Sequence, residues 1–167
     1  LLYASPTTQK YLASGGVDGK FPGRLWETFL RKYKIPYRNV QSIEQLPRLP
    51  PAVLLLPSTV ALSEQERQAI RDFRGRGGAV LATWLTGVRG EKGEWLGFDY
   101  MQQALDAKVV GNTEADDNVT YLMPYGDSPV THHLPAGQRV WLERAKEWYP
   151  LRMQGRQLAG QVMDWGR

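Results

Sequence analysis

Two continuous apolar runs, Val53-Leu54-Leu55-Leu56 and Ala79-Val80-Leu81-Ala82, dominate the hydrophobic pattern of this chain. Neither alternates with polar residues, as expected of strands buried on both faces of a parallel sheet. Between them Leu62, Ala69, Ile70 and Phe73 recur at helical spacing. Ser63 and Glu66 stand at the head of that helix as a capping box, hydroxyl and carboxylate each taking a free backbone N–H. Gly75, Gly77 and Gly78 stop the helix and permit a tight return. Residues 52–84 are therefore predicted to form a β-α-β unit, and the remaining elements are placed around it.

Before this unit, Leu1–Ala4 reads as a first strand, ended at Ser5-Pro6 because proline brings no N–H to a ladder. From Thr7 to Gly23 the glycines Gly15, Gly16, Gly19 and Gly23 predict a long loop beyond a strand end, where open parallel sheets bind ligands. A helix opening at Pro22 places Leu25, Trp26, Phe29, Leu30 and Tyr33 on one face, predicted to be core. A short edge strand at 35–40 and a brief helical turn within 42–49 lead back to the central unit. After it come a turn-rich projection at 85–95, a helix over 98–106 carrying Met101, Ala104 and Leu105, and strands near 108–110, 119–123, 139–143 and 157–163. The pattern predicts one α/β domain over 1–167, with a mostly parallel central sheet and antiparallel strands added in the last third.

Composition narrows the class. The chain has 167 residues, 42% of them hydrophobic and 23% charged, enough for a core without staples, and no apolar stretch approaches the roughly 20 residues of a membrane span. With no cysteine there is no disulfide, thiolate nucleophile or Cys-based zinc site. The formal charge of +4 includes a dense group, Arg67, Arg71, Arg74 and Arg76, read as a solvated helix face. No nucleic-acid motif accompanies it, so nucleic acid is not an expected partner. The sequence opens at Leu1 inside an apolar run, which reads as a piece of a larger protein.

Gly15-Gly16-Val17-Asp18-Gly19 lacks both the Gly-Lys-Ser/Thr of a phosphate loop and the dinucleotide spacing, and no cofactor is expected. His132-His133 has no third ligand at a standard spacing, and Asp116-Asp117 lacks the spaced oxygens of a calcium loop, so both are read as surface or turn residues and no metal is expected. Six tryptophans are a heavier signal. Trp84 and Trp95 fall at a strand end and in a loop, where an indole stacks on a sugar or anchors a protein. With Arg89, Glu91 and Glu94 between them, the 84–95 loop is the first candidate surface for a hydroxyl-rich ligand or a wet interface. A second candidate sits at the carboxyl ends of the strands: the Gly15–Gly23 loop with Ser58, Thr83, Thr86 and Asp127, the site of a small-molecule or sugar-binding enzyme domain.

The succession LSEQERQAIRDFRGRGG, GGAVLATW, TGVRGEKGEW and DSPVTHHLPAGQRV resembles the class I glutamine-amidotransferase-like superfamily over roughly residues 1–145. It is similar in particular to the non-catalytic branch that includes the trimerisation domain of family 42 β-galactosidases and related domains of polysaccharide-processing proteins. The resemblance implies a flavodoxin-like three-layer fold. It implies as partners other domains of a parent protein, carbohydrate and further copies of the chain; the absence of cysteine, with excision from a secreted polysaccharide enzyme, tilts the expectation slightly towards an extracytoplasmic bacterial setting. Active members carry a cysteine on the strained turn after the strand matching 79–83, whereas this turn reads Thr83-Trp84-Leu85-Thr86-Gly87. The nucleophile is absent, and the domain is expected to interact, oligomerise or position a substrate without catalysis of its own.

Overall fold

The computed structural model describes residues 1–110, 113–114, 119–124, 133–141, 147–148, 151–153 and 159–163. They group into two compact units, 1–105 and 106–167. The first unit contains α1 (Pro6–Ser14), α2 (Phe21–Lys32), a 3-10 helix (Ile43–Arg48), β1 (Val53–Leu56), α3 (Glu64–Gly75), β2 (Ala79–Ala82) and α4 (Asp99–Leu105). β1 and β2 are parallel, with Val53 opposite Ala79 and Leu56 opposite Ala82. Leu2 bridges in parallel to both Asn39 and Leu55. Its N–H donates to Arg38 O at 2.9 Å, and Tyr3 N–H donates to Leu55 O at 3.0 Å. The chain at 1–3 thus lies between the chain at 38–40 and β1, which makes a small parallel sheet in an α/β fold. The edge strand expected at 35–40 shrinks to the bridge at Asn39.

The two faces of this sheet are filled differently. On one, Tyr3, Leu54 and Leu56 pack against Ile70 and Phe73 of α3, Leu46 of the 3-10 helix and Tyr100 and Ala104 of α4, all buried. On the other, Leu2 and Leu55 meet only Leu30 of α2, with Trp26 and Tyr37 partly buried beside them. The polar groups of the first face are matched. Glu66 Oε1 accepts from Tyr3 Oη at 2.7 Å and Ser5 Oγ at 2.6 Å, and its Oε2 accepts Ser63 N–H at 2.7 Å. Ser63 Oγ in turn accepts Glu66 N–H, so the predicted capping box is present, and it locks α3 to the first strand.

Three expectations are overturned in this unit. The glycine loop of 7–23 is largely helix: Ser5 Oγ accepts Thr8 N–H at 3.1 Å as an N-cap, and Pro6 begins α1, its missing N–H being one the first turn leaves unpaired anyway. The apolar face of α2 is core only along Trp26 and Leu30. Only Leu30 and Gly23 of that helix are buried, while Phe21, Leu25, Phe29 and Tyr33 leave 43–58% of their surface in solvent. Arg67 does not belong to a solvated arginine face; it is buried beneath the loop that follows β2.

In the second unit β3 (Ala107–Val109) pairs antiparallel with β8 (Leu151–Met153), and β4 (Thr113–Glu114) with β7 (Glu147–Trp148). β5 (Val119–Pro124) lies between β6 (Val140–Trp141) and β9 (Ala159–Met163), antiparallel to both. Among the described residues no helix is long and apolar enough to cross a membrane.

Candidate functional site

The backbone turns abruptly at the carboxyl ends of β1 and β2. Ser58 and Trp84 both adopt left-handed conformations, φ 43° and 62°, which non-glycine residues avoid because Cβ crowds the following carbonyl. Held strain of this kind clusters at functional sites. Ser58 N–H donates to Thr83 Oγ1 at 2.9 Å, tying the two turns together. Trp84 is half-exposed, whereas Thr86 is fully buried, its hydroxyl without a hydrogen-bond partner. Enclosed in this way, Thr86 cannot touch a ligand as the sequence reading expected. Ser5 is sealed as well, since its hydroxyl is committed to Glu66.

Beyond Trp84 the chain passes under α4 and returns as a tight hairpin. At Gly87, φ 69°, a Cβ would lie 2.3 Å from the Tyr100 ring, so only glycine lets the chain through. Arg89 pairs in parallel with Ala61 and antiparallel with Trp95, and Leu96 N–H donates to Val88 O at 2.8 Å. Buried Arg67 clamps this hairpin from below. Its Nη2 donates to Gly87 O at 2.7 Å and Arg89 O at 2.8 Å, its Nε donates to Leu62 O, and the guanidinium lies 4.8 Å from the centre of the Tyr100 ring. Burial lowers its pKa from the ordinary arginine value, but the three carbonyl dipoles suit the charged form.

On the outer side of the hairpin Arg89 lies between two aromatic rings. Its guanidinium is 5.2 Å from the Tyr11 ring centre and 5.5 Å from Trp95, and Nη1 donates to Gly93 O at 2.8 Å. Trp95, 51% exposed, is steadied by an edge contact with Phe98 at 5.2 Å. Beside this stack opens a shallow hollow of about 480 Å³ lined by Lys10, Tyr11, Ser14, Glu91, Lys92 and Gly93. An indole, a phenol and an oriented guanidinium beside ammonium and carboxylate groups present stacking surface with donors and acceptors, as a hydroxyl-rich ligand requires.

The structure therefore joins Ser58 with Thr83 in one group and Arg89 with Trp95 in another, and Asp127 lies outside the described residues. Tyr11 and Lys10 carry no signal in the sequence, whose glycines predict a loop where α1 forms. Another cleft, about 370 Å³, opens at the carboxyl ends of the chains at 1–3 and 38–40, lined in part by Gln9, Lys20, Arg24, Glu27, Asn39 and Gln41. Its floor is organised by Asn39 Nδ2 donating to Glu27 Oε1 at 2.6 Å, and Arg24 on its rim is paired with Asp18. Among the described residues no three His, Cys, Asp or Glu side chains gather where they could hold a metal ion.

One solved structure gives this architecture a known counterpart. The fold is similar to a β-galactosidase chain. That crystal structure, from Bifidobacterium adolescentis, matches with a TM-score of 0.50 and 17% identity over 96% of this chain and 75% of the other. At this identity the likeness speaks to fold alone. No family model and no curated protein matches the chain.

Proposed function

We propose that this chain is a non-catalytic, amidotransferase-like domain of a carbohydrate-processing protein, with a flavodoxin-like three-layer arrangement, and that it positions carbohydrate or a neighbouring domain. The observation that carries this reading is the turn after β2. The backbone at Trp84 is left-handed and strained, which fits the turn that the resemblance assigns to the nucleophile of active amidotransferase-like enzymes, and the side chain there is an indole, which neither attacks a carbonyl nor titrates. The β-galactosidase likeness supports the carbohydrate setting. The Tyr11–Arg89–Trp95 stack is the surface we assign to a sugar ring, with Lys10 and Glu91 lining the hollow beside it.

The test is titration of the whole chain, by tryptophan fluorescence and calorimetry, against neutral, amino and acidic oligosaccharides, with glycosidase and amidase turnover assayed alongside. Saturable binding weakened at least tenfold by Trp95→Ala and by Tyr11→Ala, without turnover, is the expected result. Trp84→Ala reports whether the strained turn shares in binding. Silence across the panel from a folded protein sinks the sugar surface, and turnover abolished by a substitution in this unit sinks the non-catalytic reading.

A second reading, a small-molecule site of an enzyme domain at the strand ends, draws support from the cleft over Glu27 and Asn39, where a carboxylate and amides converge. Binding lost in Asn39→Ala but kept in Trp95→Ala would favour it.

A further inference from the structure

The rows of α2 sort its surroundings. Trp26 and Leu30 form the row over Leu2 and Leu55. On one flank Glu27 and Arg31 reach the chain leading to the sheet edge: Glu27 accepts from Asn39, and Arg31 Nε donates to Tyr37 Oη at 2.9 Å. The row Phe21, Leu25, Phe29 and Tyr33 therefore occupies the opposite flank, which faces the β1–β2 side of the sheet. A right-handed crossover from 1–3 to 38–40 demands the same orientation.

Among the described residues the sheet on that side is uncovered. Residues 53, 79 and 81 share a face with Leu55 by alternation and register, and Val53, Ala79 and Leu81 are all exposed although Leu55 is buried. A parallel strand pair ordinarily has helices on both faces, and among the described residues no helix stands beside α2 on the second face. An apolar helix flank meeting an apolar sheet face makes a trough with the section of a helix, since packed helices lie roughly 8–10 Å apart. Phe29 is already braced along the flank, 5.5 Å from Trp26 and 4.8 Å from Tyr33 between ring centres.

Charge selects the occupant. Arg24, Thr28 and Lys32 form the solvent crest of α2, with Lys34 at its foot, and residues 18–38 hold six cations against two carboxylates, Asp18, which pairs with Arg24, and Glu27, 3.7 Å from Arg31. A second copy docking face to face would bring these cations together, and a flat bilayer does not enter a trough. We propose that the trough receives an amphipathic helix of another polypeptide, its apolar stripe on Leu25, Phe29 and Leu81 and its carboxylates along the α2 crest.

Two synthetic helical peptides with the same leucine stripe, one flanked by glutamates and one by lysines, test this against the full chain by fluorescence anisotropy and amide exchange. The glutamate peptide is expected to bind at least tenfold more tightly and to protect amides in 21–33 and 79–82. Phe29→Glu and Leu81→Glu, solvent-facing changes whose folding is checked by circular dichroism, are each expected to weaken it tenfold or more. The Arg24→Glu, Lys32→Glu double variant is expected to reverse the peptide preference. Equal binding of both peptides, or of neither, overturns the proposal. So does self-association lost in Leu81→Glu, which would make the trough a contact between copies, and so does Phe29-dependent binding to phosphatidylglycerol vesicles, which would make it a membrane surface.

Discussion

At the scale of single residues, several side chains occupy backbone geometry meant for glycine, and one has no visible compensation. Lys34 follows α2 at φ 55°. Ile35 N–H reaches Leu30 O at 2.8 Å and Lys34 N–H reaches Arg31 O at 3.1 Å, the paired bonds of a Schellman ending with lysine where glycine is usual. Relieving the Cβ crowding while conceding glycine's freedom in the unfolded chain should leave a net gain, so Lys34→Gly is expected to stabilise by about 0.5–1 kcal/mol. A denaturant midpoint that falls would contradict this. Trp84 and Ser58 carry the same strain, but there the tie through Thr83 holds it in place at the strand ends.

Among the elements, α3 was the most legible and α1 the least, for opposite reasons. The capping box and the glycines closing α3 are local chemistry that tertiary packing had no reason to override. α1 buries only Thr8, so it had no apolar stripe to display, and Ser5-Pro6 is equally a strand end and a helix start. A loop expected there hides Tyr11, and with it half of the stack around Arg89. For α2 the periodicity revealed that an apolar face exists, but periodicity says nothing of what lies against it; the pattern of a buried face and of a vacant docking flank is the same. Arg67 is the instructive case on α3. It lies three residues before Ile70, inside the apolar arc, so its place was readable although its neighbours Arg71 and Arg74 suggested a wet face. Its removal should unlatch an element rather than a contact. Arg67→Met strands three carbonyl groups and is expected to cost about 3 kcal/mol, with amides 87–96 exchanging faster than those of α3; unchanged exchange in the hairpin would rule out the clamp.

For the whole molecule, two buried phenols couple folding to alkaline pH. Tyr3 is raised well above the ordinary tyrosine value, first by burial and then by its hydrogen bond to the Glu66 carboxylate. Tyr100 is raised by burial, against the pull of Arg67 and Arg71. In the unfolded chain both lose their protons near pH 10, while in the folded chain both hold them, so the folded state binds more protons above that pH and stability falls as pH rises. Each phenol should contribute a slope of about −1.4 kcal/mol per pH unit above roughly pH 10. Urea unfolding at a series of pH values should show Tyr3→Phe reducing the alkaline slope by one such share; an unaltered slope would mean that Tyr3 ionises freely in the fold. The Arg67 clamp also bears on the heat of any encounter at Trp95. Because the hairpin is fastened through its own carbonyls before a ligand arrives, binding there has little chain to order. Its heat-capacity change should then be small and in proportion to the apolar area covered, that of a rigid surface meeting its guest and not of a loop folding around one.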